Sequence, residues 1–140
     1  MTQVGPQSTA YTRRMASTSR SLTRAVLGGA LLFTGVAHLT FGRRGFRVAV
    51  PDWVPGDPDT TVVASGVVEI ALGAAMLLAR RRRRAVGRLL ALFLAAVFPG
   101  NVSQWTHHRT APGLDTEMKR FGRLFLQPVL MLLAVWSTRR

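Results

Sequence analysis

Four polar side chains lie within otherwise apolar stretches of this sequence: His38, Glu69, Asn101 and Gln127. An ionisable group placed in lipid costs about 2.5–3.5 kcal/mol on insertion scales, so such residues are functional candidates by default. Together the four could carry a proton, hold the polar end of a small quinone-like molecule, or bind one another and fix helix packing. Glu69 is the sharpest of them. Apart from Ser65, Gly66, Gly73 and Ala75, its neighbours along the chain are aliphatic. Burial in such a stretch favours an uncharged carboxyl group, and a cation within about 4–6 Å opposes that. In a helix the spacing Gly66-x-x-Glu69-x-x-x-Gly73 puts both glycines on the face of the carboxyl group, where a second helix can come close. Gly35-x-x-His38-x-x-x-Gly42 has the same spacing. The segments GVAHLTFG and GVVEIALG align without a gap, as two copies of one unit would.

Other chemistry has less support in the residues. The chain has no cysteine, which excludes disulfides, thiol redox centres, iron–sulfur ligation and a cysteine nucleophile. His107 and His108 are near Asp115 and Glu117, but adjacent side chains diverge and no spaced third histidine completes a metal site. No glycine-rich phosphate loop, no Ser–His–Asp spacing and no paired carboxylates occur in a soluble segment. The sequence therefore predicts no self-contained catalytic site and no metal.

The elements that must position the four polar groups follow from the apolar runs. Of the 140 residues 48% are hydrophobic, yet the net charge is +13. That combination arises when apolar spans alternate with basic loops, and it makes a nucleic-acid role improbable despite the charge. A membrane-crossing helix needs about 20 mostly apolar residues. Four stretches qualify: residues 25–41, 60–79, 85–105 and 121–137. The expected fold is all-α, a four-transmembrane-helix bundle over residues 25–138, preceded by a flexible basic tail over 1–24. Pro99 and Pro128 lie inside the third and fourth spans and predict bends there. At about 1.5 Å per residue, Glu69, Asn101, Gln127 and His38 all fall in the same half of the bilayer, roughly 5–14 Å from its outer edge.

Charge sets the orientation. Arg13, Arg14, Arg20, Arg24, Arg80, Arg81, Arg82, Arg83, Arg84, Arg88, Arg139 and Arg140 share one side with no acidic residue. On the other side seven basic residues are nearly balanced by Asp52, Asp57, Asp59, Asp115 and Glu117. Positive charge stays inside, so both termini are expected in the cytoplasm. The run Arg80 to Arg84 reads as a topological anchor that also attracts anionic lipid. Trp53 and Trp105 read as interface anchors, as does Trp136. Pro51-Asp52-Trp53-Val54-Pro55 reads as an extended turn. Residues 1–24 match a signal peptide poorly, because Gly42-Arg43-Arg44 follows the first apolar stretch. Arg13-Arg14 lacks the apolar residues that follow a twin-arginine signal. The composition suits a mitochondrial transit peptide better.

Five short elements in order add a family likeness: Gly35-Val-Ala-His38, Pro51-x-Trp53-x-Pro55, Ser65-Gly66-Val-x-Glu69-Ile, Val97-Phe-Pro99-x-Asn101 and Leu126-Gln127-Pro128. Over residues 25–137 the chain resembles the DoxX-like membrane proteins. The resemblance implies a four-helix bundle of the bacterial cytoplasmic membrane, with links to quinone-coupled redox systems or to soluble redox partners. The cysteines used by some redox-linked members are missing here. Two functions follow as expectations. One is a non-catalytic membrane subunit or scaffold for a redox partner, holding a quinone-like molecule. The other is a small proton-coupled transporter that uses Glu69 and His38.

Overall fold

The computed structural model describes residues 5–110 and 116–139. It is all-α, with five helices and no strand among the described residues: α1 (Pro6–Leu39), α2 (Arg43–Arg47), α3 (Pro58–Leu78), α4 (Arg83–Thr106) and α5 (Glu117–Ser137). The long helices reproduce the apolar runs to within a few residues, except at the amino terminus. There the sequence predicts a tail to residue 24, whereas α1 begins at Pro6 and is exposed along residues 7–19. The reason is local. Residues 7–24 contain neither glycine nor proline, and the hydroxyls of Thr12, Thr18 and Ser19 donate to carbonyls one turn earlier. At 34 residues α1 is about 50 Å long, well beyond the ~30 Å of a bilayer core. Its amino-terminal turns therefore extend past any span it makes.

Three helices are long and apolar enough to cross a membrane: α1 from Gln7, α3 and α4. In α5 the apolar run is diluted by Lys119, Arg120, Arg123 and Gln127, so its length is sufficient but its composition is more mixed. Side chains that point outward remain apolar, among them Phe33, Val67, Leu92 and Leu132. Helices apolar all round are those that meet lipid as well as one another. Neither internal proline ends its helix: α4 continues through Pro99 and α5 through Pro128.

The helices pack as two antiparallel hairpins, α1 with α3 and α4 with α5, joined by the lesser contacts of α1 with α5 and α3 with α4. Glycine makes the first hairpin. A Cβ on Gly66 would sit 2.7 Å from the His38 Cβ and 2.9 Å from the Gly35 carbonyl oxygen, and one on Gly73 would sit 2.8 Å from that of Gly28. Gly35 faces Gly66 and Gly28 faces Gly73, seven residues apart on both helices, so two glycine pairs hold the backbones together. The second hairpin uses the same device at Gly87, which lies against Thr138 and the Ala134 carbonyl. One end of the bundle is closed by Leu27, Met76, Val86, Leu90 and Ala134.

The other end is capped by α2 and the loop after it. Arg43 makes a two-pronged ion pair with Asp59, with Nε 2.8 Å from Oδ1, and Arg47 approaches the same carboxylate at 3.4 Å. Arg109, after α4, donates to the Val50 carbonyl at 3.2 Å and to Asp52 at 2.7 Å. Gly100 passes directly beneath this loop: a Cβ there would meet the Ala49 carbonyl oxygen at 2.7 Å. The loop carrying Trp53 is thus tied to both α3 and α4.

Candidate functional site

Between the two hairpins lies a cavity of about 440 Å³, within the ~300–1,000 Å³ of small-molecule sites. His38, Glu69, Asn101 and Gln127, one from each long helix, all line it. The sequence places them at similar depth; the packing turns them toward one space. They gather near the α2 end, where Phe46, Pro51 and Trp53 also line the wall. Toward the closed end the lining is aliphatic, with Leu27, Leu31, Leu90, Leu94 and Leu130. The space is therefore polar at one end and oily at the other.

The polar groups form two pairs. His38 Nδ1 lies 2.8 Å from the Thr34 carbonyl, one turn earlier on its own helix, and 3.3 Å from Glu69 Oε2. The shorter contact takes the ring proton, because a carbonyl only accepts, so a neutral imidazole leaves Glu69 Oε2 without a donor. That oxygen is buried and has no hydrogen-bond partner among the described residues, in a residue only 8% exposed. The Phe46 ring stacks on the imidazole at 3.6 Å between centroids and 11° between planes, which fixes the orientation of His38. Across the cavity Asn101 donates to the Gln127 side-chain oxygen, and Gln127 Nε2 donates to the Leu94 carbonyl. This is a one-way chain from α4 to α5 and back, and it locks the second hairpin at the level of the cavity.

Two site residues were not singled out from the sequence. Arg123 lines the cavity as a half-buried cation, with Nη1 donating at 3.0 Å to Oε1 of the buried Gln104. Helical spacing offered the signal. Arg123 precedes Gln127 by four residues and Gln104 follows Asn101 by three, so each shares a face with a residue already identified. An Arg near a span end reads first as one that reaches outward to the interface, and that reading hides it. Phe46, in the short α2, carried no signal of this kind.

The remaining expected residues fall elsewhere. Trp53 is 71% exposed and stands at the rim of the cavity, so it belongs to the site as well as to the surface. Trp105 packs near Phe121 with ring centroids 5.8 Å apart, away from the cavity lining. Arg80, Arg81, Arg82 and Arg84 are exposed and Arg83 half-buried, at the closed end. His107 Nδ1 turns back to the Ser103 carbonyl, whereas His108 pairs with Glu117. His108, with Arg120 beside it, holds the Glu117 carboxyl below its ordinary range. Asp115 lies outside the described residues.

An all-α bundle with three membrane-length apolar helices and a buried polar cluster defines a helical membrane protein. More particularly, the chain belongs to the family described as a domain of unknown function, DUF8561, whose profile matches residues 27–138. The matched segment contains every residue of the cavity lining, from Leu27 to Leu130. No curated protein and no solved structure matches the chain.

Proposed function

We propose that this protein is a DoxX-like membrane subunit of the bacterial cytoplasmic membrane, non-catalytic in itself, whose bundle holds a quinone-like amphiphile for a redox partner. The observation that carries this reading is the cavity, with its polar groups at one end and its aliphatic lining at the other. A ring with polar substituents and an apolar tail fits such a space end for end. The core formed by Met76, Val86 and Ala134 beyond Leu27 and Leu90 blocks the far end, which favours a blind binding site over the proton-coupled permeation path. Lipid extraction of the purified chain is expected to yield a quinone-like molecule approaching one per protein. Chain that copurifies with none, and that also fails to bind an added decyl-benzoquinone in either its oxidised or its reduced, hydroquinone form, would remove the reading.

In this reading α5 is the fourth span and both termini are cytoplasmic. The basic face of Arg80 to Arg84 then rests against anionic lipid. A reporter fused after residue 140 is expected to be active in the cytoplasm, and one inserted at Asp57 on the outer side. The distribution of arginine motivates both expectations. A cytoplasmic signal from the Asp57 insertion would overturn the topology.

A further inference from the structure

We infer that the molecule held in the cavity carries a hydroxyl group at its polar end and donates it to Glu69. This rests on the amphiphile-binding reading above and names the head group that the site selects. Among the described residues that line the cavity, Glu69 Oε2 is the one fully buried side-chain atom without a hydrogen-bond partner, since the His38 ring proton is directed to the Thr34 carbonyl. A buried acceptor without a donor is costly, and a bound molecule that supplies the proton removes that cost. Asn101 and Gln127 do not supply it: each directs one N–H into the chain that ends at the Leu94 carbonyl, and neither amide is hydrogen-bonded to Glu69.

The cation across the cavity narrows the choice further. Arg123 spends one N–H on Gln104 and has further donors of its fixed fork. An occupant that accepts from Arg123 while it donates to Glu69 uses both charged side chains of the lining. A hydroxyl does both with one oxygen. A quinone or ketone carbonyl only accepts, so it would serve Arg123 and leave Glu69 as it was. A carboxylate or phosphate head would serve Arg123 but place a second negative charge beside Glu69. The apolar remainder of the molecule then lies along Leu31, Leu94 and Leu130. The class is a lipid-soluble phenol or alcohol, which includes the reduced, hydroquinone form of a quinone-like molecule.

The test compares probes that differ only at the head. Full-length protein in lipid nanodiscs is titrated calorimetrically with 4-decylphenol, with its methyl ether, and with a decyl-benzoquinone, against empty nanodiscs. Hydrogen bonds to charged groups suggest that the phenol binds about tenfold to a hundredfold more tightly than the ether. In Glu69→Gln that ratio is expected to shrink to a few-fold. Equal affinity of phenol and ether in the parent protein would overturn the inference. So would tighter binding of the ether or the quinone, because Glu69 would then be the donor, although the amphiphile reading would survive. If none of the three probes binds, both readings fail. Should Glu69→Gln not fold, the ratio measured on the parent protein decides alone.

Discussion

Replacing Gly66 by leucine is expected to destroy the α1–α3 hairpin. The first added carbon would lie 2.7 Å from the His38 Cβ and 2.9 Å from the Gly35 carbonyl oxygen, and neither is the free end of a flexible side chain. The helices must separate, which breaks the second pair at Gly28 and Gly73 and opens the wall that carries His38 and Glu69. Overpacking of this kind costs on the order of 3 kcal/mol, so the variant should melt far below the parent in detergent or fail to accumulate. Gly29→Leu is the matched control, because a Cβ at Gly29 meets nothing within 4 Å. It replaces a poor helix former with a good one on the outer face and should stay within about 0.5 kcal/mol of the parent. Equal melting of the two leucine variants would contradict the close approach of α1 and α3.

Glu69→Lys is expected to be as damaging, for an electrostatic reason. The new ammonium would enter a cavity that already holds Arg123 and the His38 imidazole, in place of the one carboxylate that faces them. A buried charge stripped of its counter-charge costs about 3–5 kcal/mol. The amide pair offers little relief, because a neutral amide oxygen does not replace a counter-charge. Glu69→Gln keeps the shape and one acceptor oxygen and should lose only about 1–2 kcal/mol. Thermal melting of both variants in the same detergent separates the cases. A lysine variant as stable as the parent would show that residue 69 does not face Arg123 across the cavity. A glutamine variant that melts as low as the lysine one would show that the charge on Glu69, paired with His38, is itself what holds the hairpin.

Several features of this protein are legible in its residues without a structure. Apolar runs of membrane length locate α3 and α4 almost to the residue, because lipid demands a local property: some 20 residues whose side chains tolerate it. The glycines around His38 and Glu69 foretell a close helix contact for an equally local reason, since helical spacing alone puts them on one face. Residues 6–24 show the limit of composition. A basic, hydroxyl-rich stretch reads as a tail, yet with no glycine or proline after Pro6 nothing stops the helix of the first span from extending backward.

What the sequence could not decide is which groups meet. Depth placed His38, Glu69, Asn101 and Gln127 at one level, but a common level does not make a common space. That depends on how each helix is rotated about its axis and which helix it neighbours, and both are set by contacts between residues far apart in the chain. Gly66 against Gly35 turns His38 and Glu69 inward together, and Gln127 against the Leu94 carbonyl turns the amide pair toward them. The same packing brings Arg123 into the cavity from a helix whose sequence suggests an outward-reaching arginine. It also leaves one oxygen of Glu69 without a donor, because the proton that could have reached it is held by the Thr34 carbonyl. Residue types and spacing are enough for a membrane bundle and its polar residues; packing decides that they surround a space where a buried Glu69 oxygen has no hydrogen-bond partner among the described residues, because that convergence is a property of helix rotation and not of any local pattern.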